Sequence, residues 1–345
     1  MNIGIIGLHG SGKTTIFNSL TGQMVHGDSS ACKKGHVLGL IQVPDKRIDR
    51  LAEIFNPKKK TYAQIRFADF PGSVKDEKGF SDQMIRNLHD VDALALVLKG
   101  FSTGMPPAPL EELRTIMADM LLSDLILAEK SLERLRKDRR NPTLLELMET
   151  IHCHLSQDRR LAFLDREVRE DPCIAGYTFV TGKPVLVVLN IGEEGPTGLP
   201  VEQIEAECRG QGWSLLSICG SLEEEIAQLA PEERGAFLAD LGVEEPASER
   251  FIAVSYELLD LISFFTVGED EVRSWPIQKG TIAVKAAGKI HSDIERGFIR
   301  AEVIGYEEFI QCGDFATARK RGLLRVEGKE YAVQDGDIMH VRFNV

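Results

Sequence analysis

No two of the six cysteines, at positions 32, 153, 173, 208, 219 and 312, have the C-x-x-C spacing. That removes the usual zinc-ribbon and dithiol signatures, and reduced thiols in a cytosolic protein are expected. No apolar run reaches the 18 or so residues that a membrane-spanning helix needs. An excess of basic charge is missing as well. The formal net charge is -12, from 41 Lys+Arg and 53 Asp+Glu. Such a balance argues against a surface coated for nonspecific nucleic-acid binding, though not against a local basic face. Nothing that reads as a leader precedes the first strand, because Met1-Asn2 runs straight into Ile3-Gly4-Ile5-Ile6. A signal peptide is therefore not expected, and the expected location is cytoplasmic. What is present is 345 residues, 43% hydrophobic, enough for two to three domains with proper cores.

That first apolar run is followed by Gly7-Leu8-His9-Gly10-Ser11-Gly12-Lys13-Thr14 and then by Thr15-Ile16-Phe17-Asn18-Ser19-Leu20, which has helical apolar spacing. Strand, G-x-x-x-x-G-K-T and helix form a P-loop in its required context. Glycines let the backbone curl so that successive N–H groups face phosphate oxygens. The helix N-terminus adds the positive end of its dipole. His9, Gly10, Ser11, Gly12, Lys13, Thr14 and Thr15 are the expected phosphate-binding residues. Lys13 supplies a cation for the β- and γ-phosphates, and the Thr14 hydroxyl suits Mg²⁺.

Asp69-Phe70-Pro71-Gly72 lies 56 positions after Lys13, at the end of the strand Gln64–Phe67. Coupled to a P-loop, such a D-x-x-G places an acid, Asp69, on Mg²⁺ and a glycine N–H, Gly72, on the γ-phosphate. The polar stretch 22–36 stands where a first switch loop would lie. Leu94–Leu98 and Lys183–Asn190 read as buried strands, and Ser214–Cys219 as a last one. Between them, 110–174 changes character. Leu121, Leu125, Ala128, Leu132 and Leu135 recur at helical spacing, Asn141-Pro142 breaks the pattern, and Leu144, Leu147, Ile151 and Leu155 resume it. The spacing predicts an antiparallel helical hairpin. His152 and His154, two apart on a helix, do not face one way and are not expected to share a metal. From about 264 the chain turns to short strands and single glycines, with 12 Lys+Arg against 13 Asp+Glu, so the remainder carries nearly all the acidity.

The expected fold is α/β: a P-loop NTPase domain over 1–263, interrupted by the hairpin at 110–174, and a small β-rich domain over 264–345. This order of motifs resembles the Obg-like ATPase family, known in bacteria as the YchF family. The resemblance covers nearly the whole chain. It is carried most strongly by Val43-Pro44-Asp45-Lys46-Arg47-Ile48-Asp49-Arg50-Leu51, by Asn190 with Glu193, and by Gly297–Val303 and Gln334–His340. It implies a GTPase-like fold with a C-terminal β-grasp (TGS) domain and slow nucleotide hydrolysis. Mg²⁺ with ATP or GTP is the implied cofactor, and the ribosome or RNA the implied partner. No membrane contact and no DNA-specific site are seen. Phe101, Asn190, Ile191, Glu193 and Gly220 are the implied base-binding residues. Ile191 and Glu193 stand where guanine readers carry Lys and Asp, and a longer acid meets the guanine edge poorly, so ATP is expected to bind at least as well as GTP.

The chain also departs from the family. His9, Gly10 and Ser11 replace the Pro, Asn and Val of the family P-loop, and Gly10 removes the Asn linked to K⁺. Lys33 falls where a switch Thr is usual; Ser73 follows Gly72 where Ras-like enzymes place a water-orienting Gln, which the family itself lacks. These changes support binding more than hydrolysis. The readings left open are a slow ATPase switch, a nucleotide-binding adaptor without hydrolysis, and a strict GTPase. A small-molecule kinase is disfavoured for want of a lid and an acceptor site. Lys285, Lys289, Arg296, Arg300, Arg319, Lys320 and Arg321 are the candidate RNA contacts, with Arg134, Arg136, Lys137, Arg139 and Arg140 at the hairpin tip as the alternative.

Overall fold

In a computed structural model, residues 2–23, 37–70, 74–75, 79–80, 84, 87–88, 90–138, 141–240 and 245–344 are described. Residues 24–36, Gly72, Ser73, Arg139 and Arg140 lie outside them. The chain forms two compact units, Met1–Ile41 with Arg66–Val254, and Gln42–Ile65 with Ser255–Val345.

The first unit is built on β1 (Asn2–Ile6), β2 (Val37–Gln42), β4 (Gln64–Asp69), β7 (Ala93–Gly100), β8 (Val185–Ile191) and β9 (Ser214–Ile218), in the order β2-β4-β1-β7-β8-β9. A short antiparallel pair, β5 (Val74–Lys75) and β6 (Gly79–Phe80), lies outside this sheet. The pairings β4–β1, β1–β7, β7–β8 and β8–β9 are all parallel. β7 and β8 are apolar on both faces, as strands buried under helices on two sides must be. The register pairs Ile5 with Asp69, Lys99 with Asn190, and Asn190 with Ile218. The carboxyl ends of five strands therefore come to one edge.

Helix α1 (Lys13–Thr21) buries Ile16 and Phe17. On the face made by Leu94, Leu96, Leu98, Val185, Val187 and Leu189 lie Leu113, Ile116 and Met120 of the 30-residue helix α3 (Pro109–Asp138). This revises the expected insertion. The first half of α3 belongs to the sheet's core, and only its second half pairs with α4 (Pro142–Leu155). There Ala128 and Leu132 meet Met148, Ile151 and Leu155. The Arg136–Glu149 ion pair (3.0 Å) and the approach of His152 to Glu129 (3.7 Å) set an antiparallel register. Asn141 caps α4 by accepting from Leu144 N, with Pro142 in the first turn. The chain after Leu155 returns through short turns and not through the rest of a long helical arm. The Asp124 carboxylate of α3 takes up the N–H groups of Val180 and Thr181 at 2.8 Å and the Thr181 hydroxyl at 2.6 Å, which fixes the entry to β8.

The second unit starts earlier than the sequence suggests. The helix Ala247–Leu258 ends the run before it, Asp260 takes a left-handed backbone (φ 47°), and β10 begins at Leu261, three residues before the expected boundary at 264. Its sheet contains β3 (Lys59–Thr61), β10 (Leu261–Thr266), β11 (Glu271–Gln278), β12 (Phe298–Gly305), β13 (Arg325–Glu327) and β14 (Asp337–Phe343), in the order β13-β12-β14-β10-β11-β3. β10 and β14 pair in parallel, whereas β10–β11 and β12–β14 are antiparallel. The edge strand β3 (Lys59–Thr61) and helix α2 (Lys46–Phe55) come from the excursion between β2 and β4. Ile48 and Leu51 of α2 are fully buried against Phe265, Val272, Ile304, Phe309 and Ile338. Arg47 spans Asp45 (2.9 Å) and Asp335 (2.7 Å) and lies over the Phe265 ring. The Asp335 carboxylate also accepts from Ser263 N at 2.9 Å.

Candidate functional site

The glycines of the P-loop earn their places by geometry. Gly12 has φ +87°, and a Cβ there would lie 2.1 Å from Asn190 Nδ2. Gly10, at φ +76°, faces open space. The loop thus curls tightly at its helix end and stays open at its outer end, where His9 and Gly10 are exposed.

Lys13 is buried, and its ammonium donates to the Gly7 carbonyl (3.1 Å) and the Leu8 carbonyl (2.7 Å). Burial pushes its pKa down, and the charges of Asp69 and Glu112 work against that. The Thr14 hydroxyl donates to Asp69 Oδ2 at 2.9 Å. Burial raises the Asp69 carboxyl, opposed by the Thr14 bond and by Lys13. Its second oxygen, Oδ1, is buried without a hydrogen-bond partner among the described residues, as is the Ser11 hydroxyl. A hydroxyl beside a carboxylate with one unspent buried oxygen is the donor set that a hard divalent cation takes. A buried donor left unspent in an amide-lined loop likewise suits an anion.

Next to the loop, Gly12, Thr15, Phe101, Ser102, Asn190, Ile191, Gly192, Glu193, Glu194 and Ser221 line a cleft of about 360 Å³. The structure brings the phosphate and base candidates to one edge of one sheet, which is where open α/β sheets bind ligands. Asn190, read from the sequence as a base contact, spends its side chain inside the protein. Its Nδ2 donates to the Ser11 carbonyl (3.0 Å), and its Oδ1 accepts from Gly220 N (3.1 Å). Asn190 and Gly220 therefore tie the P-loop to the loop after β9. Ile191 and Glu193 reach the cleft wall, and Lys99 Nζ lies 5.4 Å over the Phe101 ring.

Sequence reasoning missed Ser102 and Glu194 in this wall, which belong to no motif, and Glu112. The Glu112 carboxylate accepts from Lys99 N at 3.0 Å. Burial raises its pKa, against the pull of Lys99 and Lys13. The two histidines diverge as expected, His154 toward the Arg160 carbonyl and His152 toward Glu129. Among the described residues no cluster of three or more His, Cys, Asp or Glu could hold a metal, and no helix is long and apolar enough to cross a membrane.

Residues 2–131 match the family model described as 50S ribosome-binding GTPase, and residues 261–344 match the YchF-GTPase_C model, described as a protein of unknown function. The chain is 37% identical to the ribosome-binding ATPase YchF of Pasteurella multocida, over 99% of both proteins. It is 34% identical to that of Bacillus subtilis over the full length of both. The solved YchF GTPase of Schizosaccharomyces pombe superposes with a TM-score of 0.84 at 27% identity, covering 99% of this chain and 97% of that one. With a P-loop, an Asp69–Thr14 pair and a cleft beside it on one sheet edge, and relatives matched over the full length of both chains, the chain belongs to the YchF family of P-loop nucleotide-binding proteins.

Proposed function

We propose that this protein is a nucleotide switch that binds Mg²⁺ with ATP in preference to GTP, hydrolyses it slowly and acts at the ribosome. The observation that carries the nucleotide is the Lys13–Thr14–Asp69 group beside the cleft of Phe101, Ile191 and Glu193. Thr14 and Asp69 would hold the cation, which when bound would supply positive charge for the phosphates. Lys13, freed from the Gly7 and Leu8 carbonyls, would turn to the phosphate side. The loop N–H groups and the positive end of α1 would orient the anion.

Glu193 and Ile191 support ATP because Glu193 carries its paired acceptors on a side chain one methylene longer than the Asp of a guanine reader, which meets the guanine edge poorly, and Ile191 replaces its Lys. A site built for the guanine edge rejects its rival by a large ratio. Titrating ATP and GTP against the purified protein with Mg²⁺ tests this, and a GTP preference of about a hundredfold or more contradicts it. Turnover with and without ribosomes separates the switch from a binding adaptor. The ribosome as partner rests on the printed names of the relatives. Within the C-terminal unit, Lys285 (with Glu295), Arg296 (with Asp293) and Arg319 (with Glu302) stand in ion pairs. This leaves Lys289, Arg300, Lys320 and Arg321 as the better phosphate contacts.

A further inference from the structure

Helix α3 enters the nucleotide site from a direction that no motif marks. Glu112, in its first turn, takes up the peptide N–H of Lys99, the residue just before β7 ends. Two residues on, Phe101 forms part of the wall of the base-side cleft, and the Lys99 ammonium reaches over its ring to the Thr103 hydroxyl at 2.6 Å. The same carboxylate interacts electrostatically with Lys13. Among the described residues, the buried Lys13 thus feels two acids, Asp69 and Glu112. Asp69 has a role in the site through Thr14. Glu112 has no such role and still places a carboxylate within electrostatic reach of Lys13.

We propose that Glu112 is a positioning residue of the nucleotide site, which pins the end of β7 so that Phe101 walls the cleft and whose charge opposes phosphate binding at Lys13. The inference rests on the nucleotide reading above. The pinning explains why an acid is kept there: in a half-buried place a carboxylate is a stronger acceptor for a peptide N–H than an amide oxygen. Its cost falls on phosphate affinity, which is tolerable in a switch that must release its nucleotide.

Three variants separate the two effects. Glu112→Gln keeps an acceptor for Lys99 N and removes the charge. Glu112→Ala removes both. Lys13→Ala tests the site itself. ATP and adenosine affinities are measured by displacement of a fluorescent ADP, with a thermal melt to confirm that each variant is folded. In Glu112→Gln, ATP is expected to bind roughly tenfold tighter with adenosine unchanged, the order expected for one unit charge taken from a partly screened site. In Glu112→Ala, adenosine is expected to weaken as the Phe101 wall loosens. If Lys13→Ala abolishes ATP binding while Glu112→Gln leaves the ATP-to-adenosine ratio at the wild-type value or lowers it, the role of Glu112 is overturned and the nucleotide site stands. If Lys13→Ala binds ATP like wild type, the nucleotide reading itself fails.

Discussion

Gly12 and Gly10 show how differently two glycines of one motif can matter. Both have positive φ, so an alanine at either carries the strain of a left-handed backbone, on the order of 1–2 kcal/mol. Only at Gly12 does the added methyl meet something, the Asn190 amide that holds the P-loop to the loop after β9. Gly12→Ala is therefore expected to weaken nucleotide binding at least tenfold and to lower the melting temperature by several degrees. Gly10→Ala should cost about the strain alone and leave affinity within a fewfold. Calorimetric titration and thermal melts on both variants check the contrast, and equal effects would refute the Asn190 tether. Lys13, Thr14 and Asp69 were legible in the sequence as candidates because a P-loop and its D-x-x-G fix both residue type and spacing, whereas Asn190 was read as a base contact and not as the tether it forms. Glu112 was not legible, since an acid in the first turn of a helix is what the helix dipole favours anyway.

At the scale of the element, α3 is one helix with two employments. Leu113, Ile116 and Met120 are each fully buried, or nearly so, on the sheet, and burying such a side chain contributes about 1.5–3 kcal/mol. That half cannot leave without unmaking the first unit. The sequence reading took 3- and 4-residue apolar spacing as the mark of a separate hairpin. Periodicity reports that a helix has a buried face, not which partner covers it. Asp124 marks the turnover point. Burial pushes its carboxyl up to about 6 from an ordinary 3.8, while the Thr181 hydroxyl and the Val180 and Thr181 N–H groups pull the other way. Between those pH values the folded chain keeps a proton that the unfolded chain has lost. This group's contribution to stability therefore falls as pH rises from about 4 to about 6 and is flat above. Asp124→Asn turns an amide N–H₂ or a single carbonyl toward three donors and should cost roughly 1–3 kcal/mol. The gap to wild type, measured by urea denaturation, is expected to narrow from pH 4 to pH 7. A gap that widens contradicts the assignment.

For the molecule as a whole, the second unit is assembled from two distant stretches. The sequence showed Val43–Leu51 and Gln334–His340 as separate marks of the family. Their connection, Arg47 to Asp335 with Ile48 and Leu51 under the sheet, could not be read because nothing local signals a helix lent to another sheet. Residues 255–345 made alone should lack a cooperative thermal transition. Adding 42–65 through a flexible linker should restore it, as followed by circular dichroism. A cooperative melt of 255–345 without the excursion would show that α2 and β3 are dispensable.

The borrowed helix also sets an order in time. During synthesis α2 emerges early, and the strands that bury Ile48 and Leu51 begin at Leu261, some two hundred residues later. At about 5–20 residues per second, that leaves an amphipathic segment uncovered on the nascent chain for roughly 10–40 s. The first unit can close β1, β4, β7 and β8 in that interval, but only by holding the excursion out as an open loop. Ile338, far along the chain, is thus among the residues that complete a core begun at Ile48.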